Sequence, residues 1–350
     1  MKLFSTALLI CTALMAFAQK PQNVILLIGD GMGLSQVSTT FYYKDSDPHF
    51  KRFRHIGLVK TSSASNKVTD SAAGATAYAS GIKTYNRAIG VDMDTMPVPT
   101  IMEELKEKGY CTGLIALCSI THATPGCFYA HVKDRDEHEE IARQLSLAGV
   151  DFFAGAGTRY FTKRADEQNS YAVMQKNGYV MDTIQSNKPL EAHKKYGFLL
   201  ADVEMPSKNN GRDDFLPRTT KAVIDYLDQR SNGKGFFLMS EGSYIDWAGH
   251  SKDVEMLIAE QLDFDETIGA ALDFAEKDGN TLVIVTADHE TGGLSLEKGA
   301  NKDTIQLTFK TDQHTTPLVP VFVFGPGAEN FTGIYENNEL QLKLKALLGL

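Results

Sequence analysis

The sequence has few cysteines, a single tryptophan and no block of basic residues, and these shortages narrow the range of functions. Only 4 of its 350 residues are cysteine, and acidic residues outnumber basic ones to give a formal net charge of −9. Because no basic block offsets this charge, the composition argues against a protein that binds nucleic acid or an anionic membrane surface. An anionic substrate would have to be attracted by a local group of cations instead.

Long apolar runs are also missing, except at the N-terminus. There, Lys2 precedes an apolar run from Leu3 to Phe17, and a small-x-small pattern ends at Ala18. The run is shorter than the roughly 20 residues that span a bilayer. We therefore expect residues 1–18 to be a signal peptide cleaved after Ala18, and the mature protein to be exported to the periplasm or the medium without binding a membrane. A retained membrane anchor is the alternative.

Removal of this segment leaves three cysteines, Cys111, Cys118 and Cys127. The number is odd and no CxxC pattern occurs, so the sequence indicates neither a complete disulfide framework nor a cysteine metal site. Cys111 and Cys118 bracket an apolar run, which favours buried free thiols. A disulfide between two of the three cysteines is the alternative.

Apolar strand patterns alternate with helical patterns along most of the chain. Strands are predicted at Val24–Ile28, Thr112–Leu117, Phe236–Met239 and Leu282–Thr286. Thr100 and Glu103 form a capping box, which predicts the start of a helix. This alternation implies an α/β fold, a three-layer sandwich in which helices flank a large, mostly parallel central sheet. We expect residues 19–350 to form a single domain.

Two segments depart from this alternation. Residues 155–215 are polar, rich in lysine and asparagine and without sustained periodicity. We interpret them as an insertion over one end of the sheet and not as a second domain. Pro317 and Pro320 precede the apolar stretch "VFVF", and because proline cannot donate to a strand ladder, we expect this strand to lie at an edge of the sheet.

Metal-binding types of side chain follow each predicted strand. They are Asp30 after the first strand, His122 and Thr124 after the second, Glu241, Asp246 and His250 after the third, and Asp288 and His289 after the fourth. Carboxyl ends of parallel strands meet at one edge of a sheet, and metal ions are the simplest way to make so many such groups compatible. Considered alone, Asp246 and His250 also fit a helix cap and a surface histidine.

A candidate nucleophile, Ser71, begins a run of small residues that predicts a tightly packed helix. One interpretation is that Ser71 caps this helix. The other is that its hydroxyl meets an anion at the positive end of the helix. No histidine neighbours Ser71 and there is no G-x-S-x-G elbow, so activation by a metal is favoured. The glycines of "GDGMG" do not complete a dinucleotide fingerprint, because Leu34 occupies the position of the third glycine.

Six motifs resemble those of the alkaline phosphatase family and occur in the same order as in that family. They are "GDGMG", "TDSAAGATA", "ITHATPGCFYAHVKDR", "EGSYIDWAGH", "TADHETGG" and "DQHTTPLVPVFVFGPG". The resemblance extends from Asn23 to beyond Gly327 and implies an alkaline phosphatase-like fold with one catalytic domain. It also implies an exported homodimer that hydrolyses a broad range of small phosphate monoesters through a phosphoserine intermediate, with an alkaline pH optimum.

The resemblance further assigns roles to individual residues. One zinc ion would be held by Asp246, His250 and His314, a second by Asp30, Asp288 and His289 with Ser71 as exchangeable ligand, and a magnesium ion by Asp30, Thr124 and Glu241. Arg135 would bind two phosphoryl oxygens, a task that suits the guanidinium fork. Ser71 and Arg135 would be the catalytic pair.

Two further residues lie where members of this family differ. His122 occupies a position that is aspartate or histidine, and the histidine form can alter the magnesium site. Trp247 either packs at the rim of the site or shapes the substrate position. The rival hypotheses are a related phosphodiesterase-type metallohydrolase and a non-catalytic secreted metal-binding protein, neither of which accounts for Ser71 together with Arg135.

Overall fold

The computed structural model describes residues 20–184 and 189–350. The predicted signal peptide and its cleavage site lie outside the described residues, so export stays a prediction. Within those two ranges, no helix combines the length and the apolar character needed to cross a membrane. Cys111, Cys118 and Cys127 are free thiols, as the sequence favoured.

The described residues form fourteen strands and eleven α-helices. The strands are β1 (Asn23–Gly29), β2 (His55–Lys60), β3 (Cys111–Ser119), β4 (Phe152–Ala156), β5 (Tyr179–Asp182), β6 (Lys195–Leu199), β7 (Phe236–Gly242), β8 (Thr281–Thr286), β9 (Glu290–Thr291), β10 (Leu294–Lys298), β11 (Ile305–Phe309), β12 (His314–Thr315), β13 (Val319–Phe324) and β14 (Gly333–Glu336). The helices are α1 (Leu34–Tyr43), α2 (Ser71–Ser80), α3 (Ile101–Glu107), α4 (Ala123–Gly126), α5 (His138–Ala148), α6 (Thr158–Thr162), α7 (Ser170–Lys176), α8 (Phe215–Ser231), α9 (Tyr244–Ser251), α10 (Val254–Asp278) and α11 (Asn337–Leu348). The capping box predicted at Thr100 is present at the start of α3.

Ten strands build one central sheet in the order β14-β2-β13-β8-β1-β7-β3-β4-β6-β5. Neighbouring strands are parallel except around β13, which is antiparallel to both β2 and β8. Helices flank the sheet, with α8 packed against β3 and β7 and α10 against β8. The predicted α/β fold with a mostly parallel central sheet is therefore confirmed.

The centre of the sheet is buried on both faces because its strands are nearly continuous apolar runs. Every residue of β1, β7 and β8 is buried, the pattern of a parallel sheet covered by helices on both sides. The longest covering helix, α10, buries Leu257, Phe264, Ile268 and Leu272, which recur at helical spacing. A rigid central platform therefore supports whatever follows the carboxyl ends of these strands.

The prediction that "VFVF" lies at an edge is wrong, because β13 lies between β2 and β8. Pro320 pairs with Leu58 of β2, whereas pairing with β8 starts further along, at Phe322. The proline thus precedes the stretch that is bonded on both sides, and its missing N–H leaves no gap in the ladder with β8. The edges of the sheet are β14 and β5.

The polar segment 155–215 lies at the β5 edge of the sheet. It contributes β5 and β6, which extend the sheet in parallel beyond β4, while residues 185–188 lie outside the described residues. The sequence was interpreted as an insertion that covers one end of the sheet. The structure shows that the segment also widens the sheet by two strands. Its strands span only 4 and 5 residues, too few for a period to be recognised.

Candidate metal centre

Four neighbouring strands at the middle of the sheet deliver the candidate ligands. The strands β8, β1, β7 and β3 are adjacent and parallel. Asp288 follows β8, Asp30 follows β1, Asp246 lies beyond β7, and His122 and Thr124 lie beyond β3. The structure thus brings to one edge side chains that are separated by more than two hundred positions in the sequence.

His289, Asp30 and Asp288 form one group, with Ser71 beside it. The Nε2 atom of His289 lies 3.4 Å from Asp30 Oδ1, 3.3 Å from Asp288 Oδ2 and 3.2 Å from Ser71 Oγ. All four residues are buried. Three protein ligands with a hydroxyl at a fourth position match a catalytic zinc site, where one position stays exchangeable.

Asp246, His250 and His314 form a second group next to the first. Asp246 lies 3.3 Å from His250 Nε2 and 3.5 Å from His314 Nε2, and the two Nε2 atoms are 3.1 Å apart. The Asp246 carboxylate raises the pKa of His250 to about 9. The ring of His314 stacks on that of His289 with 3.5 Å between centroids, so the two groups adjoin.

Glu241 and Thr124 offer oxygen atoms for a third ion. Glu241 Oε2 accepts hydrogen bonds from Ser243 Oγ at 2.8 Å and from Cys118 Sγ at 3.4 Å. Its other oxygen, Oε1, and the hydroxyl of Thr124 are buried without a hydrogen-bond partner among the described residues. Hard oxygen ligands of this kind suit magnesium.

Carboxylate oxygens of the first group lack partners as well. Both carboxylate oxygens of Asp30 and the Oδ2 atom of Asp288 are also buried without a hydrogen bond from any described residue. An unpaired buried carboxylate is strongly unfavourable unless a cation compensates it. The donor set of carboxylates, imidazoles and hydroxyls therefore fits divalent metal ions.

Burial and mutual repulsion disturb the ionisation of these carboxyl groups. Burial raises the pKa of Asp30 well above its usual value, and the charges of Asp288 and Asp246 raise it further. Burial likewise raises the pKa of Glu241 to about 7 and that of Asp288 to about 6. Bound divalent cations would favour the ionised form of these carboxyl groups and would lower all three pKa values.

Each of the three histidines is anchored through Nδ1. His250 Nδ1 lies 2.6 Å from the carbonyl oxygen of Asp312, His314 Nδ1 lies 2.9 Å from that of Thr69, and His289 Nδ1 lies 3.2 Å from Thr291 Oγ1. An imidazole that donates from Nδ1 keeps its lone pair on Nε2. The anchors therefore select the tautomer that can bind a metal.

Thr291 links the first two groups through one hydroxyl. It donates to Asp246 Oδ1 and lies in position to accept from His289 Nδ1. Gly31 makes this close packing possible, since a Cβ atom there would lie 2.7 Å from Thr291 Oγ1 and 2.8 Å from the Cα atom of Asp246. Gly31 also has φ +72°, which favours glycine. Gly31 of "GDGMG" thus permits the close approach of chain segments that carry candidate ligands.

Replacement of Thr291 by valine is expected to weaken zinc binding by about ten- to a hundred-fold, because such outer contacts orient the ligands. Zinc affinity would be measured by competition with a chromophoric chelator after metal is stripped from the protein. Thr84→Val is the matched control, since Thr84 is fully buried but its hydroxyl has no partner among the described residues. Equal affinities in the two variants would contradict this role for Thr291.

Ser71 begins α2 but does not cap it. The N-cap is Asp70, whose Oδ1 atom accepts from the N–H of Ala73 at 3.0 Å. The Ser71 hydroxyl is instead directed to His289 Nε2. It therefore lies at the positive end of a helix, without a capping task, beside the first metal group.

Arg135 lies in a loop, and its guanidinium lies beside Asp70, the N-cap of α2. Its Nη1 atom donates to Asp70 Oδ2 at 3.1 Å, and its Nη2 atom lies 3.3 Å from His122 Nε2. Although burial works against the charge, Asp70 and the site's other carboxylates raise the pKa of Arg135. Asp70 therefore caps the helix of Ser71 and also orients the guanidinium.

His122 and Trp247 lie at the rim of the centre. Burial and the charge of Arg135 lower the pKa of His122 to about 3, so its ring is neutral. The half-buried Trp247 ring lies 6.1 Å from the His122 ring and 4.4 Å from the ring of Tyr244. Trp247 is thus packed against Tyr244 and lies close to His122.

Sequence reasoning missed the side chains that hold the ligands in place. Asp70 had a recognisable signal, because aspartate before a predicted helix is a preferred N-cap. Ser243 lies only two positions from its partner Glu241. Thr291 and Cys118 had no signal, since their partners, Asp246 and Glu241, lie on other elements. Such residues are identified only when the sheet order is known.

Comparisons with known proteins agree with this geometry. The family model for alkaline phosphatase matches residues 21–308. Alkaline phosphatase 3 of Bacillus subtilis is 39% identical, with 91% of this chain and 87% of the relative covered. Alkaline phosphatase of Escherichia coli is 32% identical, with 96% and 88% covered.

Solved structures show the same likeness. The alkaline phosphatase of the Antarctic bacterium TAB5 superposes with a TM-score of 0.91 at 48% identity, and covers 95% of this chain and 99% of its own. A variant of that enzyme, in which a histidine is replaced by aspartate, holds magnesium in its M3 site.

Proposed function

Since the chain belongs to the alkaline phosphatase family and is an enzyme of that family, we propose that it hydrolyses phosphate monoesters through a phosphoserine formed on Ser71. The observation that carries this proposal is the Ser71 hydroxyl, which does not cap α2 and lies 3.2 Å from His289 Nε2. A binding protein has no need of a buried hydroxyl beside its metal ligands.

Three groups of residues would hold the metals. Asp246, His250 and His314 would bind one zinc ion, Asp30, Asp288 and His289 the second, and Asp30, Thr124 and Glu241 the magnesium ion. When bound, these metals supply positive charge for the entering and leaving oxygens and lower the pKa of a hydroxyl or water.

In the first half of the reaction, Ser71 Oγ attacks phosphorus. The new bond from phosphorus to Oγ forms as the bond to the alcohol oxygen breaks. The proton of the Ser71 hydroxyl passes to solvent water, and the departing alcohol oxygen takes a proton from water. The Asp70 side chain accepts only from the N–H group of Ala73. The other backbone N–H groups at the start of α2 would therefore be available to donate to phosphoryl oxygens. The product is a phosphoserine at the positive end of the helix.

In the second half, a water oxygen attacks the phosphoserine. The bond from phosphorus to Ser71 Oγ breaks, the hydroxyl is restored and inorganic phosphate is released. Arg135 stabilises the charge that spreads over the equatorial oxygens in both halves, since its two N–H groups match two phosphoryl oxygens. Asp70 keeps Arg135 in this orientation.

A broad substrate range follows from what these residues contact. The hydroxyl, the guanidinium and the metal ligands would all contact the phosphoryl group, and none of them is assigned to the alcohol. We therefore propose that many small monoesters are accepted. An alkaline pH optimum is expected because both halves need a deprotonated nucleophile.

Two rivals are tested by one comparison of substrates. Zinc-loaded protein should hydrolyse p-nitrophenyl phosphate far faster than bis(p-nitrophenyl) phosphate, and a chelator should abolish the activity. Faster hydrolysis of the diester would favour a phosphodiesterase. No turnover of either compound by metal-loaded protein would favour a non-catalytic metal-binding protein.

Trp247 gives a prediction about product binding. Trp247→Lys adds a cation near His122 and Arg135, so inorganic phosphate is expected to inhibit about three- to ten-fold more strongly, the effect of one partly exposed charge. The inhibition constant of phosphate would be compared with that of a Trp247→Phe control, which keeps an aromatic ring without charge. An unchanged constant in the lysine variant would speak for a packing role alone.

Export and assembly belong to the same proposal. We propose a periplasmic or secreted homodimer, on the basis of the N-terminal apolar segment and the family. The helix α1 follows the Asp30 loop and exposes Leu34, Phe41 and Tyr42, a set of large apolar side chains that a second copy would cover. Sedimentation of the mature chain would test the dimer.

A further inference from the structure

Arg87 has a backbone conformation that is unusual for its residue type. It lies in the loop between α2 and α3 with φ +79°, in the left-handed region that side chains with a Cβ atom disfavour. Such a conformation persists only where the surroundings impose it. Here the Arg87 N–H donates to Asp70 Oδ2 at 3.0 Å, the same oxygen that accepts from Arg135.

The side chain of Arg87 binds the two aspartates that flank Arg135. Its Nε and Nη2 atoms donate to the two oxygens of Asp134 at 2.8 and 2.7 Å, and Nη2 also donates to Asp136 Oδ2. The contact with Asp134 is the bidentate fork that makes arginine–carboxylate pairs specific. Among the described residues, no other cation forms an ion pair with Asp134 or Asp136.

Without Arg87, Arg135 would remain as the cation near Asp134, whose pKa is lowered by the hydrogen bonds of Arg87 and by the charge of Arg135. Asp136 would keep only its electrostatic interaction with the half-buried His138 besides Arg135. Arg135 is their immediate neighbour in sequence, and its guanidinium is held by a single hydrogen bond to Asp70 and a contact with His122. Unpaired carboxylates could draw Arg135 outwards, away from the phosphoryl position. They would also repel an approaching phosphate in a protein whose net charge is already −9.

The structure assigns Arg87 the task of a positioning residue: it occupies Asp134 and Asp136, so that the guanidinium of Arg135 stays free to bind the phosphoryl group. This inference rests on the proposed phosphatase function. It does not concern fold stability, since the side chains of Arg87 and Asp134 are 47% and 44% exposed and such pairs stabilise a fold little. The unfavourable backbone conformation of Arg87 allows its N–H group to donate to Asp70 while its side chain binds Asp134.

The test uses Arg87→Gly in the zinc- and magnesium-loaded enzyme, with inorganic phosphate as the probe. Glycine suits the left-handed backbone, so the variant removes the guanidinium and keeps the loop. We expect the inhibition constant of phosphate and the KM for p-nitrophenyl phosphate to rise about three- to ten-fold, with a smaller change in kcat. Adding Asp134→Asn and Asp136→Asn to this variant should restore both values to within about two-fold, because the competing charges are gone.

Restoration by the two asparagines is the decisive observation, since neutralising them cannot repair a merely structural defect. Unchanged phosphate binding in Arg87→Gly, or a triple variant that remains as weak, would overturn the inference. If glycine prevents folding, Arg87→Asn takes its place with the same outcomes, because asparagine tolerates this backbone region. Absence of turnover in the unmodified enzyme would refute the proposed function, whereas calorimetric binding of phosphate would still report on Arg87.

Discussion

Ser71→Ala is expected to lower the turnover of p-nitrophenyl phosphate by about a thousand-fold or more, while the protein keeps its fold and its metals. The reason is that the variant loses the atom that forms the covalent intermediate, and the effects of such nucleophiles are among the largest in enzymes. Metal content should be unaffected because Asp30, Asp288 and His289 remain as ligands. Turnover, zinc content and melting temperature would be measured on the same preparation.

Ser80→Ala is the matched control, since Ser80 lies at the other end of α2 and is 8% exposed. It should retain normal turnover. A Ser71→Ala enzyme with wild-type turnover would remove serine from the mechanism and favour direct attack by water. Trapping of labelled phosphate on the wild-type protein at low pH, and not on the variant, would identify the intermediate.

Removal of the metals is expected to abolish activity and to lower the melting temperature by roughly 10 °C at pH 8, as tight ligands of the folded state do. The decrease in melting temperature should be larger at pH 8 than at pH 5, because the carboxyl groups of the centre are ionised at the higher pH. Scanning calorimetry of holoenzyme and chelator-treated protein at both pH values measures this difference.

The metal-free protein is expected to be less stable at pH 8 than at pH 5 because the pKa of Glu241 is raised to about 7 and that of Asp288 to about 6. In the metal-free folded protein these groups keep protons that the unfolded chain releases near pH 4. Their contribution to stability is therefore fully present below about pH 4 and is lost as the pH rises through 6 and 7. Bound cations remove this dependence, so a metal-free protein equally stable at pH 5 and pH 8 would contradict the assignment of these ligands.

The sequence indicated which side chains the structure groups together better than it indicated their surroundings; their role as metal ligands stays a prediction. Asp288 and His289 stand out because two polar residues directly after an apolar strand have no role in capping or in the core. Whether Ser71 capped its helix could not be decided from the sequence, because Asp70 and Ser71 are both good N-cap residues. The structure decides for Asp70, since its carboxylate accepts the hydrogen bond from Ala73.

Other features depended on distant partners and could not be read from local patterns. The apolar stretch of β13 carries a proline, which locally favours an edge, but the order of the sheet places it inside. The φ of +79° at Arg87 has no sequence signal, because Asp134 and Asp136, which bind its side chain, come almost fifty positions later. Tertiary contacts outweigh local preference at such positions.

The place of β13 between β2 and β8 determines when during translation activity can arise. The early strand β2 has β13 and β14 as its only neighbours in the sheet, so it cannot dock until residue 324 has been synthesised. His314, the last of the candidate ligands, lies only five positions before β13 begins at Val319. A ribosome-bound chain of intermediate length therefore lacks both the complete sheet and the complete centre, and such non-local pairing is also slow to form. Synthesis must therefore pass residue 324 before the first phosphate ester can be cleaved.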